Sequence, residues 1–297
     1  MNRGRRLPFR ALAAALLLCS IAFLPLLGCS GPAPLPVPPA KESALAWNRR
    51  GLAAEARGDR DGAITAFGEA LKVNRSVEDT DGAAVALINL ARVHRLKREL
   101  SPAKERIDDA LRLVLPENPH FPEAAFEKAK IGLAAGDLAA AREWAEKAVR
   151  ADTGPSRGRM LNLLARVDFL EGRMNEARSG AGTALEANRG SGARGEEANS
   201  LRLLGNVAAA GSDRKGAEAL YLEALAIDKE IAESRKIAAD LRALGAAAAA
   251  RGETEGALVF YGRAAEVSRN GDDPKGAEAA LLEISRLRGK AGPPGKD

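Results

Sequence analysis

Residues 244–264 have the sequence LGAAAAARGETEGALVFYGRA, and this stretch contains each element of a pattern that recurs along the chain. A large residue and a small one come first, a glycine and an acid follow, and two alanines flank an aromatic residue at the end. The residues concerned are Leu244, Gly245, Gly252, Glu253, Ala257, Tyr261 and Ala264. Steps of four and three residues keep side chains on one face of an α-helix. The stretch therefore predicts two helices joined by a turn at Gly252.

The same pattern occurs six times along the chain. Its marker is the small residue of the first helix, found at Gly51, Ala91, Ala129, Ala165, Gly205 and Gly245. The successive spacings are 40, 38, 36, 40 and 40 residues. Aromatic residues make up only 4% of the chain, so its helices must pack mainly through alanine and leucine. A stack of similar helix pairs suits this composition, whereas a compact enzyme core usually carries more large side chains.

Small residues at helix crossings and a glycine turn between paired helices resemble the tetratricopeptide repeat, over about residues 42–289. The spacing exceeds the usual period of about 34 residues. Such lengthened repeats are similar to those of kinesin light chains, and residues 87–91 are the closest local match. We expect the extra residues to lie after the second helix of each pair, as in segments 75–81 and 188–195. The resemblance implies an all-α fold, a right-handed α-solenoid of about six helix-turn-helix units.

The C-terminal end of the repeat array differs from its interior. Residues 275–288 carry apolar side chains on one face and Lys275, Glu278 and Arg286 on the other. This pattern predicts a C-terminal capping helix with one face in water. A proline pair follows, and we expect residues 290–297 to form a disordered tail.

The N-terminus resembles the signal peptide of a bacterial lipoprotein. Four arginines precede an apolar run at 11–27, and Gly28 is a small residue directly before Cys29. This lipobox-like ending implies cleavage after Gly28, which removes residues 1–28, and diacylation of Cys29. A plain membrane anchor is the alternative, but the apolar run has only 17 residues and Pro25 interrupts it.

Residues 29–41 comprise the lipid-bearing cysteine and a proline-rich tether that would hold the folded part off the membrane. In lipoproteins an aspartate after the cysteine favours the inner membrane, and this chain has Ser30 instead. We therefore expect a lipid-anchored protein of the outer membrane that faces the periplasm. In a host with a single membrane, the anchor would lie in the cell membrane.

The composition provides little for catalysis or for nucleic-acid binding. Loss of the signal peptide leaves 41 basic and 40 acidic residues, so the basic character belongs mainly to the signal. The chain has two histidines, and we expect His94 to be half-buried and His120 to be solvated in a loop. Residues 190–195 match the G-x-G-x-x-G pattern but follow a predicted helix, which indicates a flexible loop. We predict no enzyme, no cofactor, no metal site and no nucleic-acid partner.

The resemblance also implies a binding surface, because the first helices of tetratricopeptide repeats line a concave groove that holds partner peptides. The corresponding positions are Asn48, Arg49, Asn89, Arg92, Arg95, Lys130, Asn162, Arg166, Arg202, Asn206 and Arg242. Glu55, Glu123 and Glu127 are the acids of this face. Such a groove would attract an acidic or carboxylate-ended protein segment, and its amides could pair with an extended backbone. The alternative is that these side chains only keep exposed helix faces soluble.

We therefore predict a membrane-tethered scaffold or adaptor that binds protein partners through this groove. Lipoproteins of this family include pilotins for type IV pili and adaptors for peptidoglycan hydrolases, and no residue here distinguishes these pathways. The second hypothesis is a binder of glycans or cell-wall polysaccharides in envelope assembly or export. Glycan binding favours aromatic platforms, and Phe126 and Phe169 are the candidates near the groove. No motif indicates an oligomeric state.

Overall fold

The computed structural model describes residues 38–290, which form thirteen α-helices and no β-strand. The helices are α1 (Pro39–Ala56), α2 (Arg60–Ser76), α3 (Thr80–Leu96), α4 (Leu100–Leu113), α5 (Phe121–Ala135), α6 (Leu138–Ala151), α7 (Arg157–Leu170), α8 (Met174–Ser191), α9 (Arg194–Ala210), α10 (Arg214–Glu230), α11 (Ser234–Ala250), α12 (Thr254–Asn270) and α13 (Pro274–Lys290). Each odd-numbered helix up to α11 packs against the helix that follows it, which makes six helix-turn-helix units. Helix α13 packs on α12 and covers the end of the sixth unit. The prediction of an all-α solenoid with six units and a capping helix is confirmed.

Several predicted segments lie outside the described residues. These are the signal peptide at 1–28, Cys29, the tether up to residue 37 and residues 291–297. Helix α1 already begins at Pro39, so the last three residues of the predicted tether are helical. Proline is accommodated at the start of a helix because the N–H of that position has no intrahelical partner. At the other end, Lys290 is the last residue of α13 and not the first residue of a tail.

One residue with left-handed backbone lies in each turn between paired helices. The predicted glycines have φ between 77° and 81°, namely Gly58, Gly136, Gly172 and Gly252. Glycine adopts this conformation at no steric cost. Arg98 and Ser212 adopt it in the second and fifth units, with φ of 67° and 65°. Packing of the two helices therefore imposes the left-handed conformation on the turn residue. Glycine is favoured at this position but is not required.

Aspartates cap the start of several helices. The Asp59 carboxylate accepts a hydrogen bond from the Gly62 N–H at 2.9 Å. Asp79, Asp137 and Asp213 cap α3, α6 and α10 in the same way. Each carboxylate satisfies a first-turn N–H that has no partner within the helix. A left-handed residue followed by aspartate thus ends one helix and begins the next.

The extra residues of the lengthened repeats extend the helices rather than the connections. Helix α2 continues to Ser76 and α3 begins at Thr80, so most of the first predicted segment is helical. Likewise, only Gly192 and Ala193 separate α8 from α9. The prediction of a flexible loop at 190–195 is therefore wrong. A single left-handed residue redirects the chain there, which makes a long loop unnecessary.

Within each unit, the small marker residue of the first helix is matched by a residue 16 positions later on the second helix. The pairs are Gly51–Phe67, Ala91–Ile107, Ala129–Ala145, Ala165–Ala181, Gly205–Tyr221 and Gly245–Tyr261, all buried. A Cβ atom on Gly51 would lie 2.5 Å from the Phe67 ring, and one on Gly205 would lie 2.5 Å from the Tyr221 ring. The three aromatic rings therefore pack against bare glycine backbone, whereas alanine is matched with a smaller side chain.

Candidate functional site

A groove of about 930 Å³ runs along the first helices of the second to fifth units. Residues of α3, α5, α7 and α9 line it, together with Arg98 from the turn after α3. Within residues 38–290, no second helix contributes to this lining. Its charged side chains are six cations and one acid, namely Arg95, Arg98, Lys130, Arg159, Arg166, Arg202 and Glu196. The groove therefore lies on the face predicted for it, and most of its charges are positive.

Six of the eleven predicted binding residues line this groove. They are Arg95, Lys130, Asn162, Arg166, Arg202 and Asn206. Of the others, Arg49 is exposed on α1, and Arg92 pairs with acids of α5. The amides of Asn48 and Asn89 engage each other, with Asn89 Nδ2 donating to Asn48 Oδ1 at 2.9 Å. Arg242 lies one unit beyond the groove, on α11.

Glu127 is fully buried on α5 and attracts three cations. Arg95 donates to its carboxylate through Nε, while Arg92 Nε lies 3.8 Å and Lys130 Nζ lies 3.7 Å from Oε2. Burial lowers the pKa of Lys130, and the Glu127 charge opposes this shift. The prediction of Glu127 as an acid of the groove surface is wrong. Its carboxylate is enclosed, and it neutralises Arg92 and Arg95, which are consequently less available to a partner.

Glu123 and Phe126, which are both on α5, contact further cations. Glu123 accepts hydrogen bonds from Arg92, at 2.8 Å, and from Arg159. The Arg159 guanidinium lies 4.5 Å from the centre of the Phe126 ring, and Lys130 Nζ lies 5.1 Å from it. Cations at these distances are attracted to the face of an aromatic ring. The Phe126 ring therefore attracts two of the groove cations, Arg159 and Lys130.

Arg202 lies between two fully buried carboxylates, Asp228 of α10 and Asp240 of α11. Its Nε lies 2.5 Å from Asp240 Oδ1, and its Nη1 donates to Asn199 at 2.9 Å. Burial raises the pKa of Asp240 to about 6, against the effect of Arg202, and Asp228 adds to the shift. Arg202 thus joins the fifth unit to the sixth. The prediction that it is a cation free to bind a partner is corrected by these contacts.

Replacing Asp240 with asparagine is expected to change how stability depends on pH. Aspartate in an unfolded chain has a pKa of about 3.9, whereas the pKa of Asp240 in the folded protein is about 6. Between these values the folded chain holds a proton that the unfolded chain has released. Asp240 therefore adds stability as the pH falls from about 7 to about 4. The free energy of urea unfolding should rise more on acidification in the wild type than in D240N, and parallel curves would contradict this.

Hydrogen bonds between successive first helices explain why many predicted groove residues are engaged. Asn162 on α7 accepts from the Ser200 hydroxyl of α9 at 2.7 Å and donates to the Glu196 backbone carbonyl at 3.0 Å. Similar contacts join Asn48 to Asn89, Arg95 to Glu127, and Arg202 to Asp240. Each joins residues more than 30 positions apart. These polar side chains hold neighbouring units together along the groove.

Arg98 and Arg166 are exposed cations of the groove. Neither has a carboxylate at ion-pair distance in the part of the chain that the structure describes. Beside them, Leu96 and Leu170 are 37% and 48% exposed, although both are large apolar residues. Leu133 also lines the groove and follows the same spacing of 37 residues. The groove thus combines an apolar track with two exposed cations, and the track and Arg98 were not predicted.

The two histidines lie at helix ends. His94 is half-buried as predicted, and its Nδ1 lies 2.7 Å from Glu99 Oε2. His120 is half-buried rather than solvated, and its backbone N–H donates to the Asn118 side chain at 2.8 Å. Over residues 38–290, no group of three or more His, Cys, Asp or Glu side chains is arranged to hold a metal ion. None of the helices there is long and apolar enough to cross a bilayer.

Residues 42–115 match the family model of the tetratricopeptide repeat. These residues comprise the first two helix-turn-helix units. No curated protein matches the chain at a significant level.

Solved structures share the fold at low sequence identity. The Rap protein complexed with competence and sporulation factor is 15% identical, with a TM-score of 0.65 over 86% of this chain and 72% of that chain. A signal transduction ATPase with a tetratricopeptide repeat sensor, from Pyrococcus horikoshii, is 17% identical with a TM-score of 0.65; the match covers 86% of this chain but only 40% of that protein. Kinesin light chain repeats from Podosopora anserina are 16% identical, with a TM-score of 0.52 over 67% of this chain and all of that one. Residues 42–115 thus match the tetratricopeptide repeat, and the described part of the chain has the fold of a tetratricopeptide-repeat solenoid.

Proposed function

We propose that this protein is a non-enzymatic scaffold or adaptor that binds a segment of a partner protein in the groove of the first helices. The observation that carries the proposal is the combination of exposed leucines and exposed cations on one surface. A segment with apolar and acidic residues complements it. Its apolar side chains would cover Leu96 and Leu170, and its carboxylates would pair with Arg98 and Arg166.

Asn206 supplies a polar contact for an extended backbone. Its Oδ1 accepts a hydrogen bond from the Tyr221 hydroxyl at 2.8 Å, and the side chain lines the groove. The Tyr221 contact orients the amide, so that its two N–H donors are left for a ligand carbonyl. This arrangement favours a peptide segment as the occupant.

The groove is less suited to a glycan. Sugar rings stack on open aromatic faces, whereas Phe126 is buried and lies close to Arg159 and Lys130. Phe169 on α7 is only partly exposed. We therefore favour a protein segment over a cell-wall polysaccharide as the ligand of this surface.

Replacing both Arg98 and Arg166 with glutamate is expected to lower partner affinity about tenfold or more. Their reversal repels the carboxylates of the partner, and the fold persists because neither side chain holds a buried acid. Capture is measured by crosslinking and affinity purification from the cell envelope of the producing organism. Arg92 and Arg202 are unsuitable for this test, because their reversal would place new acids against buried carboxylates.

A matched control reverses Arg214 and Lys215 and changes the net charge by the same amount. Both residues are exposed at the start of α10, outside the groove. Partners that the control retains and the groove variant loses support the proposal. If both variants capture the partners as well as the wild type does, the groove is ruled out as the binding surface. If both variants lose the partners to the same extent, the loss is due to the change in net charge, and the proposal is also rejected.

We also propose that a lipid on Cys29 anchors the chain to the outer membrane and that the solenoid faces the periplasm. The support is in the sequence, where an arginine-rich segment and an apolar run precede Gly28 and Cys29. Ser30 after the cysteine supports the outer membrane rather than the inner one. In this arrangement the groove would be presented to proteins of the periplasm.

Changing Cys29 to serine is expected to move most of the protein from the membrane fraction to the soluble fraction, because the site of acylation is lost. Cell fractionation with immunodetection measures the distribution. A density gradient that separates inner from outer membranes tests the assigned membrane for the unchanged chain. Membrane residence of the C29S variant would contradict the lipid anchor.

A further inference from the structure

The last two units and the capping helix follow one strict register. Helices α9, α11 and α13 have bounds that differ by 40 residues at each step, and so do α10 and α12. Residues 40 positions apart therefore occupy equivalent places in successive units. The packing agrees, because Gly205 lies against Tyr221 in the same way that Gly245 lies against Tyr261.

Arg202 and Arg242 are equivalent in this register, but their surroundings differ. Arg202 is bound by Asp228, Asp240 and Asn199. The equivalents of these three partners, in the same order, are Ser268, Ala280 and Ala239. None of the replacements carries a negative charge. The arginine is therefore present in both units, but the two carboxylates that bind it in the fifth unit have no equivalent around Arg242.

The structure shows the consequence at Arg242. Its side chain is half-buried, and its Nε is buried without a hydrogen-bond partner. Ser268 is 1% exposed, and its hydroxyl is also buried without a partner. Glu283 of α13 raises the pKa of Tyr261 and Arg242 lowers it, but no ion pair joins Glu283 to Arg242 among the described residues. Glu283 is already bonded to Arg286, at 2.6 Å.

Other polar residues at the position of Arg242 have a partner in the next unit. Asn48 accepts from Asn89, and Asn162 accepts from Ser200. A buried donor that lacks such a partner is costly, and a guanidinium binds carboxylates well because its N–H groups match both oxygens. Arg242 thus carries N–H donors suited to a carboxylate, and no acid among residues 38–290 lies at ion-pair distance from it.

We propose that Arg242 binds a carboxylate of the partner protein at the C-terminal end of the groove. This inference rests on the proposed function. The equivalent arginine of the fifth unit, Arg202, binds two carboxylates, which favours a carboxylate over other anions as the ligand of Arg242. Arg202 lines the groove, so the same position one unit later lies on the continuation of that face. The partner segment would therefore extend past α9 and end against α11.

Titration with sodium acetate tests the site without knowledge of the partner. The readout is the Nε–H resonance of Arg242 in the ¹⁵N-labelled protein, identified by its loss in Arg242→Lys. The proposal expects a saturable shift with acetate and at least about a tenfold smaller response to chloride or inorganic phosphate at equal ionic strength. An equal response to all three anions, or no response to acetate, would overturn it.

A matched variant supplies the missing acids from within the chain. Ser268→Asp with Ala280→Asp copies Asp228 and Asp240 into the sixth unit, and it is expected to fold and to lose the acetate response of Arg242. A retained response would overturn the proposal. If the double variant does not fold, Ser268→Asp alone is used, and it is expected to weaken acetate binding about tenfold, whereas unchanged binding overturns the proposal.

The two proposals fail separately in these experiments. Acetate binding at Arg242 does not involve Arg98 or Arg166. Absence of the acetate response rejects the Arg242 site and leaves the charge-reversal result in the groove unaffected. Conversely, an acetate response together with undiminished capture by the Arg98 and Arg166 variant rejects the groove as the main binding surface.

Discussion

Replacing Gly205 with leucine is expected to destabilise the folded protein by about 3 kcal/mol. A Cβ atom at this position would lie 2.5 Å from Cε1 of Tyr221, which no packed side chain tolerates. Tyr221 has little room to move, because it is 4% exposed and its hydroxyl donates to Asn206. The two helices of the fifth unit must separate, and groove residues on α9 would move with them. Urea unfolding monitored by circular dichroism measures the change.

Gly262 provides the matched control for this substitution. It lies within α12, and a Cβ atom there would meet nothing within 4 Å. Gly262→Leu is therefore expected to be neutral or to stabilise by about 0.5–1 kcal/mol, since glycine is a poor helix former. Similar losses in both variants would show that the contact with the Tyr221 ring does not determine the effect, since Gly262 has no such contact.

The second unit suggests a rescue of the clash. Ala91 and Ile107 occupy the places of Gly205 and Tyr221 there, and both are fully buried. Gly205→Ala combined with Tyr221→Ile copies that pair. The double variant is expected to be more stable than the sum of the single changes by about 1 kcal/mol or more. Additive changes would mean that the two side chains do not determine each other.

Replacing Glu127 with alanine is expected to cost about 3–5 kcal/mol of stability. Its carboxylate is fully buried and attracts Arg92, Arg95 and Lys130. Removing it leaves three cations close together without the acid that balances them, and also opens a small cavity. Because Arg95 and Glu127 lie on different units, the contact between α3 and α5 should weaken first. The free energy of unfolding, obtained from urea titration, measures the loss.

Glu186 is the control for removal of an acid. It is exposed on α8, and Glu186→Ala is expected to change stability by no more than about 0.5 kcal/mol. A loss of less than about 1 kcal/mol in the Glu127 variant would contradict a structural role for the buried carboxylate. In that case Arg92 and Arg95 would regain their place as candidate partner-binding cations.

The repeat architecture followed from the sequence because its determinants are local. Gly51, Ala91 and their equivalents mark helix crossings at nearly regular spacing, and the capping helix shows its own apolar face, which includes Ala277 and Ala280. Helix ends were less predictable. Arg98 and Ser212 adopt left-handed backbone that glycine usually supplies, because the packing of adjacent helices stabilises a conformation that their own preferences disfavour.

The sequence by itself determined the helix pairs, their number and the face on which the groove lies, since these depend on side-chain spacing within about 40 residues. The tertiary structure alone decided which charges of that face are available. Arg95 and Arg202 have acid partners 32 and 38 positions away, whereas Arg166 has none within ion-pair distance among the described residues. Such pairs join different repeats and carry no periodic signal. Their geometry depends on how successive helices stack, and a buried carboxylate such as Glu127 or Asp240 has the same letter in the sequence as an exposed one.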